Sequence, residues 1–324
     1  MQSKDSLKSR REDEGSVHGN TSVGVVTVTF NSAFVIRGFM DSLLHQTHTD
    51  FVLYVVDNAS SDTTLECFDE YDDPRVVILR NPTNLGAAEG NNIGIRAALK
   101  DGCSSVVLIN NDTVLHDHLL FQLLEGLQEH AADMVVPKIL YFDEPNKIWS
   151  AGGYFSWLRG AARHFGSDSD DEGQFDESRF VDYSPTTCML IKKEVFELIG
   201  FLDASYFAYF EDTDFCYRAH RAGIKLVYVS AARLLHKVSS LTGRDSDFTV
   251  RYCIRNHVYY VLKNFPSWQR LFYLPALQFH LVAKFVLLKR KIRTFWLAEK
   301  AFSEGISLFR SRIDRQHGGF SNEI

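Results

Sequence analysis

The chain has 324 residues, 45% hydrophobic and 23% charged, enough apolar material for a packed core in one large or two small domains, and it excludes a chain that stays unfolded for want of hydrophobicity. The net charge of −6 conceals an asymmetry, because residues 215–316 hold 19 Lys and Arg against 5 Asp and Glu. A basic C-terminal third fits a phosphate-bearing ligand or an anionic membrane surface, with a solvated basic face as the plain alternative, and no nucleic-acid partner is expected.

The first 22 residues, MQSKDSLKSRREDEGSVHGNTS, carry no apolar segment. They do not read as a secretory signal and are expected to form a disordered tail. From Val23 to Thr29 the run VGVVTVT is largely β-branched and apolar, which predicts a strand buried on both faces, as in a parallel sheet. A helix follows over 33–46, with Val35, Phe39, Leu43 and Leu44 on one face. The pattern then alternates: strand 51–56, helix 63–71, strand 76–79, helix 87–100, strand 106–109, helix 119–130, strand 134–136. Such alternation predicts right-handed βαβ units on one mostly parallel sheet, an α/β fold. The acidic, Ser/Gly-rich segment 167–178 is expected to be a mobile loop. Beyond it the pattern predicts strand 187–191, helix 193–199, a helix over 210–222 ended by Gly223, and strand 225–229. From Phe248 the pattern is helical and aromatic. The five cysteines are odd in number and form no CxxC pair, and Cys103 lies in a polar turn. Free thiols in a reducing cytosol are expected.

In a parallel α/β sheet, ligands bind beyond the carboxyl ends of the strands. Here those ends are polar: Thr29-Phe30-Asn31, Asp57-Asn58-Ala59-Ser60-Ser61-Asp62 and Asn110-Asn111-Asp112. A carboxylate at Asp57 can accept from a ribose hydroxyl or a base N–H, or it can simply start a turn and cap the next helix. The segment Asn84–Gly94 joins a strand to a helix; its glycines allow close backbone approach, and a helix N-terminus favours an anion, though tight packing on the sheet explains it equally. Asp112 can hold a divalent cation against a diphosphate, or serve as an N-cap. In the run Tyr206–Arg218, Glu211, Asp212 and Asp214 fall within four residues among aromatics, costly unless paired or used, although a helix start would reward them. Asp214 and Arg218 are four apart and can pair, which leaves Asp212 or Glu211 to act as a general base. His236 closes the apolar strand-and-turn segment Val227–Leu235 and is a second metal-ligand candidate, although a lone histidine is more often structural.

Taken in order, VVTVTFN, VVDNASSD, NLGAAEGNNIGI, LINNDT, the span from CMLIKKEVFELIGFLD to YFEDTDFCYR, and LLH resemble family 2 glycosyltransferases of the GT-A fold, nearest their rhamnosyltransferase-like branch. The likeness covers about Val23 to Ser240. It implies an inverting enzyme that moves a sugar from a nucleotide-diphosphate donor, dTDP-rhamnose or a UDP-sugar, to a hydroxyl of a glycan or lipid-linked acceptor in cell-surface polysaccharide biosynthesis. It implies a GT-A domain over 23–243 and a helical extension over 244–324. By the same likeness Thr29, Asn31 and Asp57 would line the nucleoside pocket, Gly86, Gly90 and Asn91 would lie along the nucleotide, and Asn111, Trp149, Gly152 and Gly153 would lie near the donor. Asp112 would match the last acidic residue of the family's Asp-x-Asp motif, with His236 completing a Mn²⁺ or Mg²⁺ site, and Asp212 beside Glu211 would match the catalytic base. Asn110 departs from the pattern, since it stands where the first Asp-x-Asp carboxylate usually is and ligates without charge. The rival readings are a sugar-phosphate nucleotidyltransferase and a non-catalytic nucleotide-sugar-binding protein. The first would carry Lys or Arg just after strand one, where this chain has Asn31-Ser32-Ala33-Phe34.

The stretch Leu271–Leu288 is strongly apolar but contains Pro275, Gln278, His280 and Lys284, and basic residues follow at Lys289, Arg290, Lys291 and Arg293. It is a poor transmembrane span. The mixture suits a helix at the inner face of the cell membrane, or one packed on the catalytic domain or in a homodimer.

Overall fold

The computed structural model describes residues 23–238, 246–287 and 292–318. The expected tail over 1–22 lies outside the described residues. The first half alternates as expected: β1 (Val23–Thr29), α1 (Ala33–Leu44), β2 (Phe51–Asp57), α2 (Thr64–Asp69), β3 (Val76–Arg80), α3 (Gly86–Lys100) and β4 (Ser105–Ile109). The short β5 (Thr113–Leu115), α4 (Leu119–Glu129) and β6 (Met134–Tyr141) follow. Strands β3, β2, β1 and β4 are neighbours in that order and run parallel.

The period-2 alternation of side chains puts a core on each face of this sheet. Val23, Val25, Leu53, Val55 and Val107 pack towards Ile36, Phe39 and Leu43 of α1 and Leu119 and Leu123 of α4. Val26, Val52, Tyr54, Val106 and Leu108 pack on the other face with Ala88, Ile95 and Ala98 of α3. Each fully buried large apolar side chain contributes roughly 1.5–3 kcal/mol, against roughly 1–2 kcal/mol to order a residue's backbone. A strand such as β2, buried along its whole length, is therefore strongly determined. Cys103, expected in a polar turn, is buried in the second core instead, and all five cysteines are free thiols.

The middle of the chain departs from the simple alternation. It contains β7 (Ile148–Ser150), β8 (Gly153–Ser156), β9 (Ala161–His164), β10 (Arg179–Phe180), β11 (Cys188–Lys192), α5 (Lys193–Ile199), a 3₁₀ turn (Ala204–Tyr206), α6 (Glu211–Arg221) and β12 (Leu226–His236). β11 runs antiparallel to both β4 and β6, while β12 runs parallel to β6, so the sheet is mixed beyond β4. β8 and β9 form a separate hairpin. α6 is capped by Ala222, and Gly223 follows with φ +75, the left-handed conformation a helix end calls for.

Segment 167–178, expected to be mobile, is anchored. Lys138 of β6 is fully buried and pairs with Asp171 at 2.9 Å and Asp176 at 2.6 Å. The Tyr228 hydroxyl donates to the Phe175 carbonyl and Ser230 Oγ to that of Asp176, both at 2.7 Å. A buried ammonium needs these carboxylates, so the loop is part of the sheet's stability.

The C-terminal third forms α7 (Asp247–Asn264), α8 (Ser267–Leu287) and α9 (Ile292–Gly318). Ser246 caps α7 by accepting from the Thr249 N–H at 3.1 Å, a contact worth about 1 kcal/mol. α7 packs along α9, and Tyr259, Tyr260 and Val261 of α7 join Tyr206 and Tyr273 in a third apolar cluster. Among the described residues, no helix is long and apolar enough to cross a membrane.

Candidate active site

Because β1 lies between β2 and β4 and runs parallel to both, the carboxyl ends of all three open on one edge of the sheet. Thr29, Asp57 and Asn110-Asn111-Asp112 therefore come together there. Thr29 Oγ1 donates to Asp57 Oδ1 at 2.8 Å, and Ser60 donates to the same carboxylate from its hydroxyl at 2.5 Å and its N–H at 3.0 Å. Asn31 adopts φ +51 and its Oδ1 accepts from the Ser61 N–H at 2.8 Å. Asn111 Nδ2 donates to the Val28 carbonyl at 2.7 Å, tying the β4 end to β1. These polar side chains build the rim of the edge as turn residues do.

The glycine segment has packing reasons of its own. Gly86 takes φ +82, and a Cβ there would lie 2.4 Å from the Phe207 carbonyl. That carbonyl accepts from the Ala87 N–H at 2.6 Å. The start of α3, expected to face an anion, is thus closed by the chain around Phe207. A Cβ at Gly90 would meet Val28 at 2.8 Å, and Asn91 Nδ2 donates within α3 to the Ala87 carbonyl at 2.9 Å.

Asp112 and His236 come together. Thr113 and His236 are partners in the β5–β12 ladder, the Lys237 N–H donates to the Asp112 carbonyl at 2.9 Å, and Asp112 Oδ1 lies 3.3 Å from His236 Nε2. His236 Nδ1 is buried without a hydrogen-bond partner. The ring nitrogen that faces Asp112 is Nε2, so Asp112 Oδ1 and His236 Nε2 are the pair that would share a divalent cation, its remaining ligands coming from phosphate oxygens and water. Among the described residues no group of three or more His, Cys, Asp or Glu is placed to hold a metal without such help.

From His236 a line of rings leads to the acidic pair. Trp149 of β7 packs edge-on against His236, with centroids 4.6 Å apart, and against His164 of β9 at 5.0 Å. His164 packs on Tyr183 at 5.5 Å, and the Tyr183 hydroxyl donates to Asp212 Oδ2 at 3.0 Å. Gly153 underlies this line: a Cβ there would lie 2.9 Å from the Tyr183 ring. Gly152 takes φ +76 against Val181. Burial lowers the His164 pKa and favours its neutral form.

Asp212 and Glu211 share the first turn of α6 but differ in surroundings. Asp212 is only partly buried. Its Oδ1 accepts from the Thr213 N–H at 2.5 Å and the Thr213 hydroxyl at 3.1 Å, in addition to Tyr183 on Oδ2. Glu211 Oε2 is buried with no partner. Burial first, and the charge of Asp212 second, push the Glu211 carboxyl up to about 8. Burial raises Asp212 too, opposed by its hydrogen bonds from Thr213 and Tyr183. Donors favour the charged form of the carboxylate they touch, so Asp212 carries the charge and Glu211 keeps a proton at neutral pH. Asp214 is fully buried and satisfied by Arg218 Nε at 2.9 Å, Lys263 Nζ at 2.8 Å and Asn264 Nδ2 at 2.9 Å. The expected Asp214–Arg218 pair is present and belongs to the scaffold.

The chain entering α6 is strained: Phe207, Tyr209 and Phe210 have φ of +66, +66 and +73, a region bulky residues rarely occupy. Asn256 of α7, fully buried, offsets this by donating Nδ2 to the carbonyls of Tyr206 at 2.9 Å and of Ala208 and Tyr209 at 2.7 Å each. Sequence reasoning missed His164, Tyr183 and Asn256. Only Asn256 left a signal, an amide inside an otherwise apolar helical stretch.

The model of glycosyl transferase family 2 matches residues 24–200. The chain is 30% identical over 206 residues to a low-salt glycan biosynthesis hexosyltransferase, Agl10, of Haloferax volcanii; the match covers 62% of this chain and 64% of that protein, a little under two thirds of its length. It is 23% identical over 220 residues to the dTDP-rhamnosyl transferase RfbF of Shigella flexneri, covering 68% of this chain and 70% of the relative. In fold it is similar to a crystal structure of GalNAc-T7 with UDP, GalNAc and Mn²⁺, with a TM-score of 0.63, 17% identity, and coverage of 91% of this chain and 57% of that one.

Proposed function

The chain belongs to glycosyl transferase family 2, and from that premise we propose that it transfers a sugar, with inversion, from a nucleotide-diphosphate donor to a hydroxyl of a glycan or lipid-linked acceptor in polysaccharide biosynthesis. The observation that carries this reading is the continuous line of contacts from Asp112 and His236 through Trp149, His164 and Tyr183 to Asp212. It joins a diphosphate-holding end to a base on one rim.

In this reading Asp57, Thr29 and Asn31 border the nucleoside. Asp112 and His236 would hold Mn²⁺ or Mg²⁺ against the diphosphate. A bound cation offsets the charge that develops on the leaving diphosphate. Asp212 takes the proton of the acceptor hydroxyl as that oxygen attacks the anomeric carbon. The bond from that carbon to the diphosphate oxygen breaks, and the diphosphate leaves with the electron pair. Attack from the opposite face inverts the centre. Tyr183 and Thr213 keep Asp212 ionised and aimed, while neutral Glu211 adds no second charge to the pocket. The likeness to a dTDP-rhamnosyl transferase favours dTDP-rhamnose, with a UDP-sugar as the other donor.

The test is a thermal-shift screen of the purified protein against nucleotide-sugars with Mn²⁺, followed by NMR of the product formed from the donor that binds. Binding of a dTDP- or UDP-sugar and an inverted anomeric coupling are expected. A product that retains the donor's configuration overturns the mechanism.

A further inference from the structure

A helix on the surface of a soluble protein normally turns its polar side outwards. α8 turns a largely apolar stripe outwards. Trp268 is 70% exposed, Leu271 79% and Phe279 75%, and Phe272, Pro275 and Val282 are exposed on the same helical stripe. The helix contains no Asp or Glu. The tip of the β8–β9 hairpin extends this face, with Trp157 75% exposed and Leu158 exposed beside it. The tip is fixed there: the Tyr273 hydroxyl of α8 donates to the Trp157 carbonyl, and the His257 ring of α7 lies 3.0 Å from the Gly160 carbonyl.

We propose that this face, formed by Trp157, Leu158, Trp268, Leu271, Phe272 and Phe279, lies on an anionic lipid bilayer and presents the catalytic rim to an acceptor anchored in that bilayer. Charge selects the occupant. Arg218, Lys263 and Arg312, within the basic span 215–316, are taken up by Asp203 and Asp214, whereas basic residues follow α8 directly in the sequence at Lys289, Arg290 and Lys291. Aromatic and aliphatic side chains beside basic ones bind the headgroup boundary of anionic membranes. A second copy of the chain would bring the same positive charge against itself. The hairpin also joins the face to the chemistry. Gly153, at the opposite end of β8 from the tip, packs on the Tyr183 that touches Asp212. At roughly 3.3 Å per strand residue, the four steps from Gly153 to Trp157 span about 13 Å. The bilayer contact stands on the surface alone; the part concerning the acceptor rests on the glycosyl-transfer reading.

The test is flotation of the full chain with phosphatidylcholine vesicles, with and without phosphatidylglycerol. Capture by the anionic vesicles, weakened by salt, is expected. Loss of at least about tenfold in that capture is expected for Leu271→Ser/Phe279→Ser, and also for Leu271→Glu/Phe279→Glu. Both variants should melt like the parent, because the two positions are exposed. Equal capture of parent and variants overturns the proposal, as does equal capture by neutral vesicles. A parent that stays unbound and scatters light as a dimer, split by the same variants, makes the face a dimer interface instead. Nucleotide-sugar binding, measured on the same preparations without lipid, reports separately on the donor site, so loss of one reading leaves the other visible.

Discussion

The Tyr183 hydroxyl meets Asp212 Oδ2 at 3.0 Å, across 29 residues of sequence and from a loop that carries no catalytic signature. This contact aims the proposed base from outside its own helix. Tyr183→Phe keeps the ring packing on His164 but removes the donor. kcat is expected to fall by about tenfold with donor affinity unchanged. Steady-state kinetics with separate donor titrations check this; a change confined to KM would make Tyr183 a substrate contact.

Glu211 gives a pH signature. Its carboxyl is raised from 4.5 to about 8 by burial and by the charge of Asp212. The folded state therefore holds a proton that the unfolded state releases, and stability falls as pH rises between those values. Glu211→Gln cannot lose a charge-neutralising proton. Parent and variant are expected to melt together near the lower value, with the variant increasingly more stable towards the upper one. Melting curves across that range decide it, and a parent that gains on the variant with rising pH would mean that Glu211 is ionised and paired.

Asn256 braces the strained entry to α6. Replacing it by Ala removes the donor from the Ala208 and Tyr209 carbonyls, while that of Tyr206 keeps Arg255, which costs roughly 2–4 kcal/mol. Asn256→Ala should lower the melting temperature and should also lower kcat well beyond any loss of donor binding, because Asp212 follows directly on the released segment. Unchanged kcat in protein that remains folded would confine Asn256 to stability.

The Asp112–His236 pair predicts unequal losses. On the proposed cation site, Asp112→Ala removes the carboxylate ligand and should weaken nucleotide-sugar binding in Mn²⁺ strongly, whereas His236→Ala removes the imidazole ligand and should weaken it less. Calorimetric titration of each variant reads the difference directly. If neither isotherm changes, the cation site is elsewhere.

Much of this was legible in residue order because local patterning and the fold agree over the first half of the chain. The double-sided strands read plainly. The sequence pattern carries β6 only to Val136 because Lys138 interrupts the run MVVPKILY, and only the tertiary pairing with Asp171 and Asp176 makes that lysine a core residue. The same pairing turned an apparently mobile acidic loop into an anchor. For β12 the pattern stops at Val229, where Ser230-Ala231-Ala232 breaks the apolar run and the strand's register shifts before Arg233. The strands β7 to β10 span two to four residues each, too few for a period to declare itself. Asp112, Asp212 and His236 stood out as polar residues ending apolar or aromatic runs. Tyr183 and His164 did not, since their place depends on how a hairpin and a loop fold over the sheet edge.

The proposed transfer depends most on Asp212 taking the acceptor's proton. Single-turnover transfer by Asp212→Asn, with donor affinity measured on the same sample, tests it most directly. A fall in rate of about 10²–10⁴-fold with donor binding preserved is expected. Transfer at the parental rate would contradict it and move the base to another residue.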